Sequence, residues 1–325
     1  MDSSSEKSMN VGSIVYATEQ GLGRMAKSFF DHGVIQKVLI YPHSSRTNNP
    51  DWYGEKARIY SPENIEWLLS GLDAMLYFEE PFNWKIIPLA RERGIKNVFM
   101  PMYECTRNPM PYEPDLILCP SWLDYDFYQR KNSVLITVPV DVPWKQRDTA
   151  KVFVHNAGNG GLGGRNGTKE LLQAMEYVKS PIKLIIRTQE QNFRSDDHRV
   201  EIRRGTVPFD ELYNEGDVFI FPEKFNGLSL PLQEAYASGM LVMCGKRYPM
   251  TMWLPSEPMI PVSHYKKEKT SVEFECAQYD PKDIATTIDA WYDKDITYYS
   301  LMGREWAERN SWDSLKKKYV SSLTT

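Results

Sequence analysis

Apolar runs that are continuous rather than alternating recur along the chain, at 11–17, 38–41, 74–78, 97–100 and 116–119, as expected of strands buried on both faces. Between them, stretches such as 24–32, which ends at Gly33, 64–70 and 85–93 carry helical spacing. The segment 138–143 breaks the pattern with Pro139 and Pro143, and then the series restarts. It continues as strand 151–155, helix 171–178, strand 182–186, helix 209–215, strand 218–221, helix 232–238 and strand 241–244. This alternation predicts an α/β protein of two Rossmann-like domains facing a central cleft, with ligands at the carboxyl ends of the strands. The expected division is a polar, disordered tail at 1–10, an N-terminal domain at 11–142, a C-terminal domain at 143–305 and a terminal helix at 306–325.

A length of 325 residues is enough for two cores. The charge balance, 39 basic against 43 acidic residues, leaves no global footprint for nucleic acid. No apolar leader precedes residue 11, and no run approaches the roughly 20 apolar residues of a membrane span. Cys105, Cys119, Cys244 and Cys276 are scattered, so free thiols and a cytoplasmic setting are expected. The five histidines show no metal-ligand spacing, so no metal and no cofactor are expected, and His155 reads as a strand-end packing residue. The lysine-rich run at 266–269 reads as an exposed loop.

The most informative text is NGLSLPLQEAYASG at 226–239, directly after the apolar run 218–221. A strand, a small-residue loop and a helix opening near Pro231 aim backbone N–H groups at an anion, and a diphosphate suits that site. Glu234, one turn into the helix, is placed to accept hydrogen bonds from two vicinal ribose hydroxyls. A second loop, 158–167, is dense in glycine and lies between a strand and a helix, where its amides and Arg165 could meet phosphate oxygens; the alternative is a mobile surface loop. Gly21 and Gly23 either narrow a cleft against a donor or make a tight turn. Arg187, at a strand end, either contacts phosphate or pairs at the surface. Glu104 either serves as a local base, or holder of an acceptor hydroxyl, or is simply solvated.

The 226–239 text resembles the retaining glycosyltransferases of family 4 and their GT-B relatives, whose donor site carries E-x7-E followed by A-x-A-x-G. Glu234 falls on the second glutamate, and Ala235, Ala237 and Gly239 continue the pattern. The first glutamate, which in the family touches the transferred sugar, is replaced by Asn226; Gly227, Leu230 and Pro231 fix the register, with Leu228 and Ser229 between them and Glu223 three residues upstream. The resemblance also puts Gly164, Arg165 and Asn166 where the family holds the donor diphosphate, although Asn166-Gly167 replaces a Lys-Gly pair. It puts Thr206, within 204–207, beside the base, and Tyr103 in the place of a histidine near the reacting sugar. The ending at 306–312 resembles the terminal helices that cross back onto the first domain.

The resemblance implies a metal-independent, retaining hexosyl- or pentosyltransferase that uses a UDP- or GDP-linked sugar, with Arg165, Asn226 and Glu104 nearest the chemistry. Departures at Asn226 and Asn166 keep two alternatives open, a nucleotide-sugar-binding module without transfer and a sugar-nucleotide epimerase. The acceptor is undetermined: a glycan, a small molecule or hydroxymethylated DNA, the last not indicated by the charge.

Overall fold

In the computed structural model, which describes residues 9–44, 46–158, 164–189, 192–269 and 272–324, the apolar runs form two parallel sheets. The expected tail at 1–10 falls, up to residue 8, outside the described residues, as does 159–163 of the glycine-rich loop. The chain separates into two units, one running to Val138 and regaining Val272 and the last helix, the other holding Pro139–Lys269 and Glu273–Ser311.

The first unit contains β1 (Val11–Val15), β2 (Lys37–Ile40), β3 (Ala57–Ile59), β4 (Ala74–Phe78), β5 (Lys96–Met100), β6 (Leu116–Cys119) and β7 (Ser133–Leu135). Their order is β3-β2-β1-β4-β5-β6-β7, parallel throughout. The main helices are α1 (Gly21–Asp31), α2 (Pro62–Leu69), α3 (Ile86–Glu92) and α4 (Trp122–Tyr128). The terminal segment is two helices, α8 (Thr297–Arg309) and α9 (Trp312–Thr324), and only α9 belongs to this unit. It docks through Trp312, whose ring stacks on His32 at 4.5 Å while its indole N–H donates to Ser28 Oγ at 2.8 Å. Tyr319, fully buried, donates to Thr137 O at 2.9 Å.

The second unit contains β8 (Val152–Gly158), β9 (Lys183–Thr188), β10 (Val200–Arg204), β11 (Val218–Phe221), β12 (Leu241–Gly245) and β13 (Met259–Ile260) in the order β10-β9-β8-β11-β12-β13. Successive side chains alternate between two helical layers. Phe153, Ile186, Val218 and Ile220 meet α5 (Thr168–Ala174) and α7 (Pro281–Trp291). Val154, Ile185, Phe219 and Phe221 meet α6 (Leu230–Ala237) and Trp306 of α8. Each fully buried Phe contributes about 2–3 kcal/mol, which is why β11 can be apolar on both faces.

Three expectations are corrected. The helix expected at 209–215 is a single 3₁₀ turn, Phe209–Glu211, because the segment is anchored by arginine contacts rather than by an apolar stripe. The run at 266–269 is part of β14 (His264–Lys269), antiparallel to β15 (Glu273–Gln278): its side chains are exposed, as a loop's would be, but its backbone is paired. The first helix starts at Gly21, not 24, so both glycines lie inside it. Among the described residues no helix is long and apolar enough to cross a membrane.

Candidate functional site

Both sheets reverse direction of growth once, between β1 and β4 in the first unit and between β8 and β11 in the second. In open parallel sheets the crevice at the carboxyl ends of the strands beside such a reversal is where ligands bind. The second unit places the 222–229 loop and α6 immediately after β11.

That loop is built around Asn226 and Arg247. The Asn226 Oδ1 accepts from Leu228 N and Ser229 N, both at 3.0 Å, and its Nδ2 donates to Glu223 Oε1 at 3.0 Å. Arg247, leaving β12, donates Nε to Glu223 O at 3.0 Å and Nη1 to Asn226 O at 3.1 Å, and its Nη2 lies 3.2 Å from Glu223 Oε2. Tyr279 OH adds a bond to Glu223 O at 2.7 Å. Glu223 and Arg247 are 2 % and 5 % exposed, so their charges are tolerated only because each meets the other and further polar partners. The Asn226 amide is thereby committed to shaping the loop, not turned outward as the first glutamate's role would require.

Gly227 and Leu228 are buried, and Leu230 opens α6. Ser229 precedes it at φ +46°, a left-handed conformation uncommon outside glycine, and its side chain does not cap the helix. The Ser229 Oγ, fully buried, and Gln233 Oε1 have no hydrogen-bond partner. Buried polar atoms are ordinarily paired, so such orphans at a helix N-terminus mark a place where a ligand can supply the bond.

Across the sheet reversal, β8 ends in a bulge at Asn156 and Gly158, and both amide atoms of Asn156 are buried without a partner. His155 is fully buried with Nδ1 2.9 Å from Ile220 O and Nε2 2.7 Å from Thr168 Oγ1. Burial pushes its pKa down to about 4, so the ring is neutral, donating from Nδ1 and accepting at Nε2. Arg165 lies beside the 222–229 loop: its carbonyl accepts from Lys224 N at 2.7 Å, and its guanidinium carbon is 5.8 Å from the Phe225 ring centroid. The Arg165 Nε is buried without a partner. Asn166 donates Nδ2 to Ala157 O at 2.9 Å, tying its loop to β8, while Gly164 is exposed. Gly167, at φ +72°, has no room for a Cβ, which would sit 2.2 Å from Pro222 O, so the start of α5 is pressed against the end of β11. Lys224 pairs with Glu170 at 2.7 Å.

Glu234 is half-buried on α6, and its Oε2 accepts from Tyr213 OH at 2.6 Å. Arg187 is buried and paired: Nη1 donates to Leu212 O, and Nη2 lies 3.2 Å from Glu215 Oε2. Burial pulls its pKa below the usual arginine value. Thr206 is exposed in the segment that follows β10, an edge strand separated from β8 by β9.

In the first unit, Gly21 is exposed at the start of α1. Gly23 is explained by packing, since a Cβ there would lie 2.2 Å from Thr18 O. Glu104 is not a solvated loop residue: it is 2 % exposed, beside Asp124, which is fully buried. Asp124 accepts from Tyr103 N at 2.8 Å and from Ser121 Oγ at 2.5 Å, and burial, then the charge of Glu104, pushes its pKa up to about 8. Asp124 was missed although Ser121-x-x-Asp124 is a legible helix-start pattern, and Ser121 does accept from Asp124 N at 3.1 Å. Tyr213, Asn156 and Arg247 were missed as well. Nothing in their local sequence sets them apart, because what matters is the approach of distant elements.

No family model matches the chain, and no curated protein matches it. Solved structures do. HepE of Anabaena, solved in complex with UDP and glucose, superposes with TM-score 0.67 at 10% identity over 97% of this chain and 99% of that one. A glycosyltransferase from Rickettsia africae gives 0.66 at 11% identity, covering 98% of each chain. Sucrose-phosphate synthase from Thermosynechococcus elongatus gives 0.62 at 14% identity, covering 97% and 99%. At these identities the likeness is one of fold, and the fold is that of GT-B glycosyltransferases.

Proposed function

We propose that this protein is a glycosyltransferase that moves a hexosyl or pentosyl group from a nucleoside-diphosphate sugar to an acceptor hydroxyl. The observation that carries the reading is the group of buried, partnerless polar atoms at the sheet reversal of the second unit: the Asn156 amide, Arg165 Nε, Ser229 Oγ and Gln233 Oε1, with Glu234 on the adjoining helix. A nucleoside diphosphate matches them in chemistry. Its phosphates suit Arg165 and the uncapped start of α6, and its ribose diol suits the Glu234 carboxylate.

In this reading the chemistry is dissociative. As the bond between the sugar and the diphosphate breaks, negative charge grows on the leaving oxygen, and Arg165 with the α6 N-terminus stabilises it without a metal. The acceptor oxygen bonds to the anomeric carbon on the face that the diphosphate leaves and passes its proton to the departing phosphate oxygen, which gives retention; the family 4 resemblance of 226–239 supports that course. HepE is named with UDP, which favours a UDP-linked donor over a GDP-linked one. The four cysteines are all free, in keeping with a reducing cytoplasm.

Asn226 favours a second reading, a module that binds the donor without transferring it, because its amide is committed to the loop. Calorimetry with UDP-, GDP-, ADP- and dTDP-sugars, followed by mass spectrometry with glycan, small-molecule and hydroxymethylated-DNA acceptors, separates the two. The enzyme reading requires binding together with transfer or slow donor hydrolysis. Binding alone selects the module, a changed sugar released without acceptor selects an epimerase, and no binding of any donor overturns all three.

A further inference from the structure

Tyr213 has no role in the donor site as read from the sequence, yet it is 4 % exposed and its hydroxyl donates to Glu234 Oε2 at 2.6 Å. Two buried arginines hold the loop that presents it. Arg147, 3 % exposed, donates Nη2 to Tyr213 O at 2.7 Å and Nε to Gly216 O at 2.8 Å. Arg187 grips Leu212 O and the Glu215 carboxylate. The ring packs edge-on against Phe219 of β11, centroids 5.9 Å apart. The Asn156 amide is a further polar neighbour of the phenol. Two fixed arginines, an aromatic contact and one short bond to a half-buried carboxylate are more than packing alone requires.

We infer that Tyr213 is a positioning residue that sets the orientation of the Glu234 carboxylate toward the ribose hydroxyls of the donor. The inference rests on the proposed function and deepens it. A carboxylate has about four lone-pair directions, so the bond from Tyr213 to Oε2 narrows its orientations while occupying only one of them. Burial, then the charge of Glu234, holds the phenol pKa well above its usual value, so the hydroxyl keeps its proton and always donates. Fixing the carboxylate in advance lowers the ordering cost of binding a diol, an effect felt only by ligands that possess one.

The test is calorimetry with UDP and GDP and with their 2′-deoxy and 3′-deoxy forms, on the full chain, its Tyr213→Phe variant, Glu234→Gln and the double variant. Tyr213→Phe should weaken ribonucleotide binding about tenfold, leave the deoxy forms nearly unchanged, and add nothing further once Glu234→Gln is present. In turnover the loss should fall on donor KM and not on kcat. Equal losses for ribo and deoxy forms, or additive losses in the double variant, would reduce Tyr213 to a packing residue. Should Tyr213→Phe fail to fold, 3-fluorotyrosine placed at position 213 keeps the ring and hydroxyl. Its fluorine resonance must then shift with ribonucleotide and not with the deoxy form; a shift common to both overturns the inference. If the unaltered protein binds no nucleotide, the proposed function fails and this inference with it. If it binds ribonucleotides preferentially while Tyr213→Phe behaves identically, only this inference fails.

Discussion

After β5 in the first unit, the chain buries Glu104 beside Asp124, two groups of like charge; after β11 in the second unit, it buries Glu223 against Arg247, two of opposite charge. The two sheets share one strand order through their first six positions, so topology does not cause the difference. In the first unit the low-polarity surroundings are accommodated by a proton, which keeps Asp124 neutral at about pH 7. In the second they are accommodated by ion pairing, and Arg147, Arg187 and Arg247 each bind backbone carbonyls as well. An arginine frame paired and bonded in this way holds its loops in a fixed shape, whereas a carboxyl that keeps its proton can donate a hydrogen bond. The fold supplies two equivalent crevices, and the side chains make them different.

The largest expected effect comes from breaking the ion pair of the second unit. Arg247→Met leaves Glu223 charged and buried and releases two loop carbonyls, and should cost about 3–5 kcal/mol in urea unfolding. Adding Glu223→Gln should recover part of that loss. A double variant no more stable than Arg247→Met would mean that the backbone contacts, not the charge pair, hold the loop.

Asn226→Glu comes next. From sequence alone this change would complete E-x7-E. In the structure it replaces a donor to Glu223 by a second carboxylate and displaces the acceptor of two backbone amides. The expected outcome is about 2–3 kcal/mol lost and no gain in transfer, by urea unfolding and a donor-turnover assay. A faster enzyme would show that the loop can turn this side chain outward after all.

How far the sequence reaches is visible in these same elements. β11 and α6 are legible because a doubly buried strand must be a continuous apolar run and because the helix start carries small residues and proline. β10, VEIRR, is not legible: as an edge strand it carries salt-bridged charges where a central strand carries apolar groups. Glu234 could be placed by its position on a helix, but its partner Tyr213 is brought to it only by the packing of 212–216 under two arginines. Glu104 could be noticed, though its burial beside Asp124 depends on a contact between the segments that follow β5 and β6.

In the first unit the comparison can be sharpened by pH. The Asp124 carboxyl is raised to about 8 by burial and by Glu104, with Cys119 and Tyr128 as its other titratable neighbours and Ser121 and Tyr103 N donating to it. Between the unfolded carboxyl value near 4 and the folded value, the folded state keeps a proton that the unfolded state has lost. Stability therefore falls as pH rises through that window, by about 1.4 kcal/mol per pH unit, and levels off above it. From pH 6.5 to 7.5 the unaltered protein should lose about that amount, while Asp124→Asn, neutral throughout, should lose much less. His155, with its pKa lowered to about 4 from an unfolded value near 6.5, adds a small slope of opposite sign that fades within this range, but it is the same in both proteins and cancels in their comparison. Equal slopes for the two proteins would place the retained proton elsewhere.

The smallest effect separates stability from binding at one residue of the second unit. Ser229 holds φ +46°, which costs a non-glycine residue on the order of 1 kcal/mol, and its buried Oγ bonds to nothing in the protein. Glycine relieves the backbone but adds freedom to the unfolded chain, and the two terms nearly cancel, so Ser229→Gly should shift stability by no more than about 0.5 kcal/mol. The same change removes a hydroxyl that, on the proposed reading, completes its hydrogen bond only with a bound diphosphate, and UDP affinity should fall about fivefold. Ser229→Ala keeps the strain and also lacks the hydroxyl, so it should match glycine in binding and alanine's ordinary behaviour in stability. If both variants bind UDP as the unaltered protein does, the orphaned hydroxyl does not face the ligand, and the anion site must be sought around Arg165 instead.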